Sequence, residues 1–188
     1  MKKLPLYTLE SIDHLVQPAD FAGTAMTSPA LNVLVDFKHN QPNTILASTS
    51  AADALALMQQ EQTKIKLVVD NNDILTGLID VDLLSDQAIM RHVANGQNRL
   101  DIKVTDLMRP RDRIKGIAYQ QLKNCTIADV INTLQSSGEQ YCLVVDRENH
   151  QIRGIISAQD IARRLRIPLT IQQAPTFLHI FDSLSLGN

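Results

Sequence analysis

The chain repeats itself once, at a spacing of about 76 residues. Val68-Val69-Asp70 returns as Val144-Val145-Asp146, Ala52-Asp53 as Ala128-Asp129, and Gly77-Leu78-Ile79 as Gly154-Ile155-Ile156. Each copy reads as a helix, a short apolar strand ending in an acid, a tight turn, a strand opening on glycine, and a further helix. A solenoid needs at least three units to bury its faces. Two long copies predict homologous halves packed as one pseudo-two-fold body, with any ligand in the clefts between them.

The elements can be placed from local signals. Leu31 to Phe37 alternates like a strand after the break at Met26-Thr27-Ser28-Pro29, and Lys38 to Asn43 is a polar loop. Ser50 and Asp53 bracket the start of a helix with the apolar stripe Ala54, Leu55, Leu57 and Met58. Ile65 to Asp70 and Ile74 to Ile79 pair around the turn Asn71-Asn72-Asp73, and Asp80 to Met90 is expected to continue as a helix. The polar stretch to residue 103 is the linker, with its break at Asn95-Gly96.

The second copy opens on a strand near Ile114–Ala118. Thr126 and Asp129 cap a helix with the stripe Ile127, Val130, Ile131 and Leu134, which Gly138 is placed to end. Tyr141 to Asp146 and Ile152 to Ile156 are its paired strands, and Ser157 opens a helix to about Arg166. Leu9 to Val16 can form one or two helical turns before Pro18. The tail, with Phe177, Leu178, Ile180, Phe181 and Leu184, suits a short amphipathic helix packed on the body or on a partner.

Composition fits an ordinary globular protein, 44% hydrophobic and 20% charged, with a net charge of −2 that favours neither nucleic acid nor a membrane surface. The charge is unevenly divided: residues 101–168 carry 11 Lys/Arg against 8 Asp/Glu, and residues 1–100 carry 7 against 11. No run approaches the roughly 18 apolar residues of a membrane helix, and no apolar segment follows the basic start, so a cytoplasmic protein is expected. Cys125 and Cys142 lack a metal-ligand spacing. Cys142 lies in an apolar strand and reads as a small buried hydrophobe, and the expected compartment argues against a disulfide between the two.

The ordered pair Val-Val-Asp, turn, Gly-Ile-Ile-Ser-x-x-Asp resembles the cystathionine-beta-synthase (CBS) domain. Two in tandem resemble a CBS pair, or Bateman module. Ala25-Met26-Thr27-Ser28-Pro29 and Leu107-Met108-Arg109-Pro110 resemble the short motif that begins each repeat of the family. The resemblance covers residues 24–86 and 104–166, leaving 1–23 as an N-terminal extension, 87–103 as linker and 167–188 as tail. It implies an α/β (α+β) fold of two β-α-β-β-α repeats in pseudo-two-fold packing, often in dimers. It also implies a regulatory sensor that binds AMP, ADP, ATP or S-adenosylmethionine and needs no cofactor.

In the second repeat the resemblance places Ser157 on the phosphate and Asp160 on the ribose, with the backbone around Tyr141 and Cys142 along the base and Ile155 as an apolar wall. The chemistry suits those roles. A helix N-terminus offers unpaired N–H groups and partial positive charge to a phosphate, and a carboxylate accepts from both hydroxyls of a diol. Ser-x-x-Asp ahead of an apolar run is equally a capping box, and one side chain can serve both purposes. Arg109, Arg111, Arg113 and Lys115 form one basic run and Arg163, Arg164 and Arg166 another; either is a solvated face or a source of phosphate compensation. Lys123 is a further candidate cation. In the first repeat Asp80 and Leu83 replace the Ser and Asp, so that cleft is expected to reject a nucleotide phosphate or to hold something else.

The five histidines are scattered, and no P-loop or nucleophile elbow is present. Asp80, Asp82 and Asp86 read as acids at a helix start. The reading is therefore not an enzyme but a binding module for an adenosine ligand, expected to be a homodimer with an unidentified protein partner. The alternative is an interaction module that keeps the fold without a working site and uses its apolar tail as the contact surface.

Overall fold

The computed structural model describes residues 23–167 and 175–185; the possible turns at Leu9–Val16 lie outside them. Two four-stranded sheets carry the fold. The first runs in the order β2 (Thr44–Leu46), β3 (Ile65–Val69), β4 (Leu75–Asp80) and β5 (Arg109–Pro110). The second runs β6 (Gly116–Ala118), β7 (Tyr141–Asp146), β8 (Gln151–Ser157) and β1 (Leu34–Asp36). In each, the first pair is parallel and the other two antiparallel, so the sheets share one topology. Helices α1 (Ala51–Gln60), α2 (Asp86–Ala94), α3 (Val104–Leu107), α4 (Tyr119–Leu122), α5 (Ile127–Leu134), α6 (Ala158–Arg164) and α7 (Phe177–Ser185) complete the described chain.

The repeats exchange their leading strands. β1 precedes the first repeat's helix yet pairs with β8 of the second, Val35 opposite Ile155 and Asp36 opposite Gly154. β5 precedes the second repeat's helix yet pairs with β4 of the first, Leu78 opposite Arg109. The glycine that opens each returning motif is explained by this exchange. A Cβ on Gly154 would meet the Val35 carbonyl and lie 2.7 Å from a Leu34 methyl; one on Gly77 would meet the Met108 sulfur and lie 2.7 Å from the Arg109 carbonyl. Only a residue without a Cβ admits the crossing strand.

The acid that closes each Val-Val-Asp ties its turn. Asp70 Oδ1 accepts from the amides of Asn72 and Ile74 at 2.8 and 2.9 Å. Asp146 accepts from the amides of Glu148 and Asn149, from the Asn149 side chain and from Gln120. Those side-chain bonds, Asn149 first, hold its carboxyl at about 2. Each turn also has one left-handed residue, Asp73 and His150.

Apolar burial divides into three clusters. The first packs α1 through Ala51, Ala54 and Met58 against Val68 and Ile79. The second packs α5 through Ile127, Val130, Ile131 and Leu134 against Val144 and Ile156, and it also takes in Phe177 and Ile180 of α7. The third joins Leu67, Leu75, Leu78 and Leu143 between the sheets. Fully burying one such side chain stabilises by about 1.5–3 kcal/mol. The tail helix thus spends its apolar stripe on the body of its own chain, since Phe177 and Ile180 are fully buried.

Three expectations need correction. Leu31 to Phe37 is not all strand: Ala30–Val33 forms a 3₁₀ turn, closed by the Asn32 amide on the Pro29 carbonyl, and buries Ala30 and Val33. Asp80 does not begin a helix; β4 runs through it, and its carboxylate accepts from the Leu83 amide to cap a turn. The helix starts at Asp86, where Ser85 caps the Ala88 amide, and so fills half of the expected linker. The strand near Ile114 is shortened to Gly116–Ala118 because Arg111–Arg113 makes a 3₁₀ turn.

Candidate ligand cleft

Strand exchange brings β1 and the polar loop after it against the end of β8 and the start of α6. Together with β3 and Tyr141 they enclose a cavity of about 240 Å³. Val35, Phe37, Ile65, Leu67 and Ile155 make its apolar wall, and Gln41, Asn43, Lys64, Tyr141, Ser157, Gln159 and Asp160 its polar groups. An apolar recess with a few convergent polar groups is what a small-molecule site requires.

Ser157 ends β8 and is the N-cap of α6, its Oγ accepting the Asp160 amide at 3.3 Å. Its hydroxyl proton remains available to a ligand. The Asp160 carboxylate behaves differently from that of the other cap acids. Asp129 accepts from both the amide and the hydroxyl of Thr126, at 2.8 and 2.7 Å, which hold its carboxyl below the usual range. Asp53 accepts from the Ser50 hydroxyl at 2.7 Å. Among the described residues Asp160 makes no such return bond; its carboxylate takes one hydrogen bond, from Arg163 Nη2 at 2.8 Å, and is 31% exposed at the cavity wall. A capping box would use that carboxylate at the helix start, and here it is left facing the cavity.

Of the other residues expected at the site, Tyr141 and Ile155 line the cavity. Burial first, then the charges of Asp80, Asp82 and Asp160, raise the Tyr141 phenol above its ordinary range, so it stays a neutral donor. Cys142 does not line the cavity: strand alternation turns it into the core, 1% exposed. Lys123 follows α4 and sits over the Tyr119 ring at 5.1 Å, away from the recess. Neither Arg163 nor Arg164 lines the recess; Arg163 is 67% exposed and pairs with Asp160. The cation that does line it is Lys64, with Phe37, Gln41 and Asn43 alongside. All four belong to the first half of the chain. Gln41 and Asn43 lie in the polar loop 38–43, Phe37 arrives with the exchanged strand β1, and Lys64 arrives with the packing of β3 against the second repeat; neither the exchange nor the packing has a local sequence signal.

In the first repeat the positions of Ser157 and Asp160 are held by Asp80 and Leu83. Asp80 is buried, which raises its carboxyl, and it holds the Leu83 amide. Asp82 accepts from Gln140 at 3.3 Å, and Arg109 pairs with Glu139.

The family model described as CBS domain matches residues 32–85 and 123–167. A curated relative, the glycine betaine/carnitine/choline transport ATP-binding protein OpuCA of Bacillus subtilis (strain 168), is 23% identical over 129 residues, 69% of this chain. The chain spans only 30% of that relative's length. Among solved structures, an uncharacterized conserved protein from Pyrococcus horikoshii aligns with a TM-score of 0.55 at 18% identity, covering 78% of this chain and 98% of its own. CBSX2 in complex with AMP aligns with a TM-score of 0.52 at 20% identity, covering 72% and 94%. These structural likenesses show the shared fold. No helix among the described residues is long and apolar enough to cross a membrane.

Proposed function

The chain belongs to the CBS domain family, and from that premise we propose that it is a regulatory module taking an adenosine-containing nucleotide into the cleft of its second repeat. The observation that carries this reading is the Asp160 carboxylate, left uncommitted by the helix cap and lining the recess beside Ser157. Asp160 accepts the ribose hydroxyls, the Ser157 hydroxyl donates to phosphate, and Phe37 and Ile155 flank the base. Lys64 supplies the positive charge. The AMP held by a solved relative of the same fold supports the ligand class.

The first-repeat region does not take a phosphate in this reading. Placing an anion beside Asp80 and Asp82 sets like charges together in a partly dry site. The module then acts through ligand-dependent shape or partner affinity, as a homodimer, and not through chemistry of its own.

Thermal unfolding with AMP, ADP, ATP and S-adenosylmethionine tests it. A ligand at 100 times its dissociation constant adds about 2.7 kcal/mol of stability, so at least one of the four should raise the midpoint. No shift with any of them removes the nucleotide reading and leaves the interaction module.

A further inference from the structure

A second cavity, of about 420 Å³, opens at the far end of the sheets beside the β7–β8 turn. Its floor is apolar, with Ile114, Val145 and Ile152, and its rim carries Arg111, Lys115, Arg147 and His150 without an acidic side chain. Arg111 Nη1 donates to the Leu75 carbonyl at 3.4 Å, so the rim spans both repeats. Among the described residues neither Arg111, Lys115 nor Arg147 forms an ion pair, whereas Arg99, Arg109, Arg153, Arg163 and Lys66 all do. Of the acids beside these cations in the chain, Asp146 is committed to Asn149, Gln120 and the turn amides, while Asp112 and Glu148 are exposed, do not line the cavity and form no ion pair with them.

Three like charges gathered on one recess repel one another in the empty protein, and a dense anion between them relieves that repulsion. Arg supplies planar forks that match phosphoryl oxygens two at a time, and Lys adds a mobile point charge. The volume exceeds what one phosphate fills. We propose that this cavity binds a compact oligophosphate, a molecule carrying several linked or clustered phosphoryl groups, at a site separate from the nucleotide cleft. The two sites share no lining residue.

Calorimetric titration with inorganic tripolyphosphate tests the proposal, using the full chain, the double variant Lys115→Gln/Arg147→Gln, and Asp160→Ala. The expected result is one equivalent bound by the full chain, weakening as salt is raised. The double variant should lose about tenfold or more in affinity for each cation removed. Asp160→Ala, and saturation with AMP, should leave tripolyphosphate binding unchanged. The removed side chains are exposed, so the empty double variant should unfold at the same temperature as the parent or higher. Absence of binding, or equal binding by the double variant, overturns the proposal. Tripolyphosphate binding by a full chain that takes none of the four adenosine ligands counts against the nucleotide cleft alone.

Discussion

Arg153 holds Asp36 by two hydrogen bonds, Nε to Oδ1 and Nη2 to Oδ2, each 2.7 Å long and joining residues 117 apart in the chain. The pair is largely shielded, 11% and 18% exposed, and Arg153 also lies over the Tyr119 ring at 4.5 Å. It fastens β1 of the first repeat onto β8 of the second. Val35 and Phe37, the two residues flanking Asp36, line the ligand cleft. The clasp therefore belongs to the site as much as to the fold.

That clasp makes stability depend on pH with a definite sign. The Arg153 hydrogen bond, opposed by burial, holds the Asp36 carboxyl below its ordinary 3.8. A carboxylate with a lowered folded value contributes fully above its unfolded value and loses that contribution as pH falls through the folded one. Asp36→Asn should lower the unfolding midpoint at pH 7, with the gap from the parent closing as pH drops below 3.8. Midpoints measured from pH 7 to pH 2 check this; a gap of constant size contradicts it.

Gly154→Ala should displace β1, because the added Cβ meets the Val35 backbone and a Leu34 methyl. Overpacking of this kind costs about 1–3 kcal/mol. Denaturant unfolding measures the loss, and nucleotide affinity should fall with it because Val35 and Phe37 move. An alanine variant as stable as the parent would show that β1 does not pack this closely.

Phe177→Ala should destabilise the chain by about 3–5 kcal/mol, the cost of emptying a fully buried aromatic site. The tail helix should then exchange its amides with solvent faster than α5 does. Loss of tail protection without loss of global stability would mean that the helix is an accessory to the body.

The two cysteines should react unequally. Both are free thiols, Cys125 half-buried and Cys142 buried, and burial pushes the Cys142 thiol up to about 11. Since the thiolate is the reactive form, alkylation of the native protein at pH 8 should label Cys125 well before Cys142. Denaturant should equalise them. Mass spectrometry of the labelled peptides reads the order, and Cys142 reacting first contradicts the burial.

Much of this architecture was legible in the sequence because local rules govern it. The α5 stripe of Ile127, Val130, Ile131 and Leu134 and the Thr126–Asp129 cap could be read from 3.6-residue periodicity and hydroxyl–acid spacing. Ser157, Asp160, Tyr141 and Ile155 could be placed from the repeat and its family resemblance. The rest is non-local. Nothing near Leu34 says that its strand leaves its own repeat, and nothing near Lys64 says that β3 packs against the second repeat, so neither Phe37 nor Lys64 could be assigned to a cleft built on Ser157. Acid-rich stretches misled as well: Asp80 looked like a helix start, yet Ser85 offers the cap that wins, six residues after Ile79. The basic run around Arg163 could be read either as a solvated face or as phosphate compensation, and helix geometry turns Arg163 outward onto Asp160.

The most direct test of the account is a calorimetric titration of the full chain, Asp160→Ala and Asp82→Ala with AMP and, in parallel, ADP, ATP and S-adenosylmethionine. One equivalent of at least one of these should bind per chain, with binding abolished in Asp160→Ala and kept in Asp82→Ala, and the Asp160→Ala fold intact by circular dichroism. Two equivalents, or full binding by Asp160→Ala, would contradict a single working cleft built on Ser157 and Asp160.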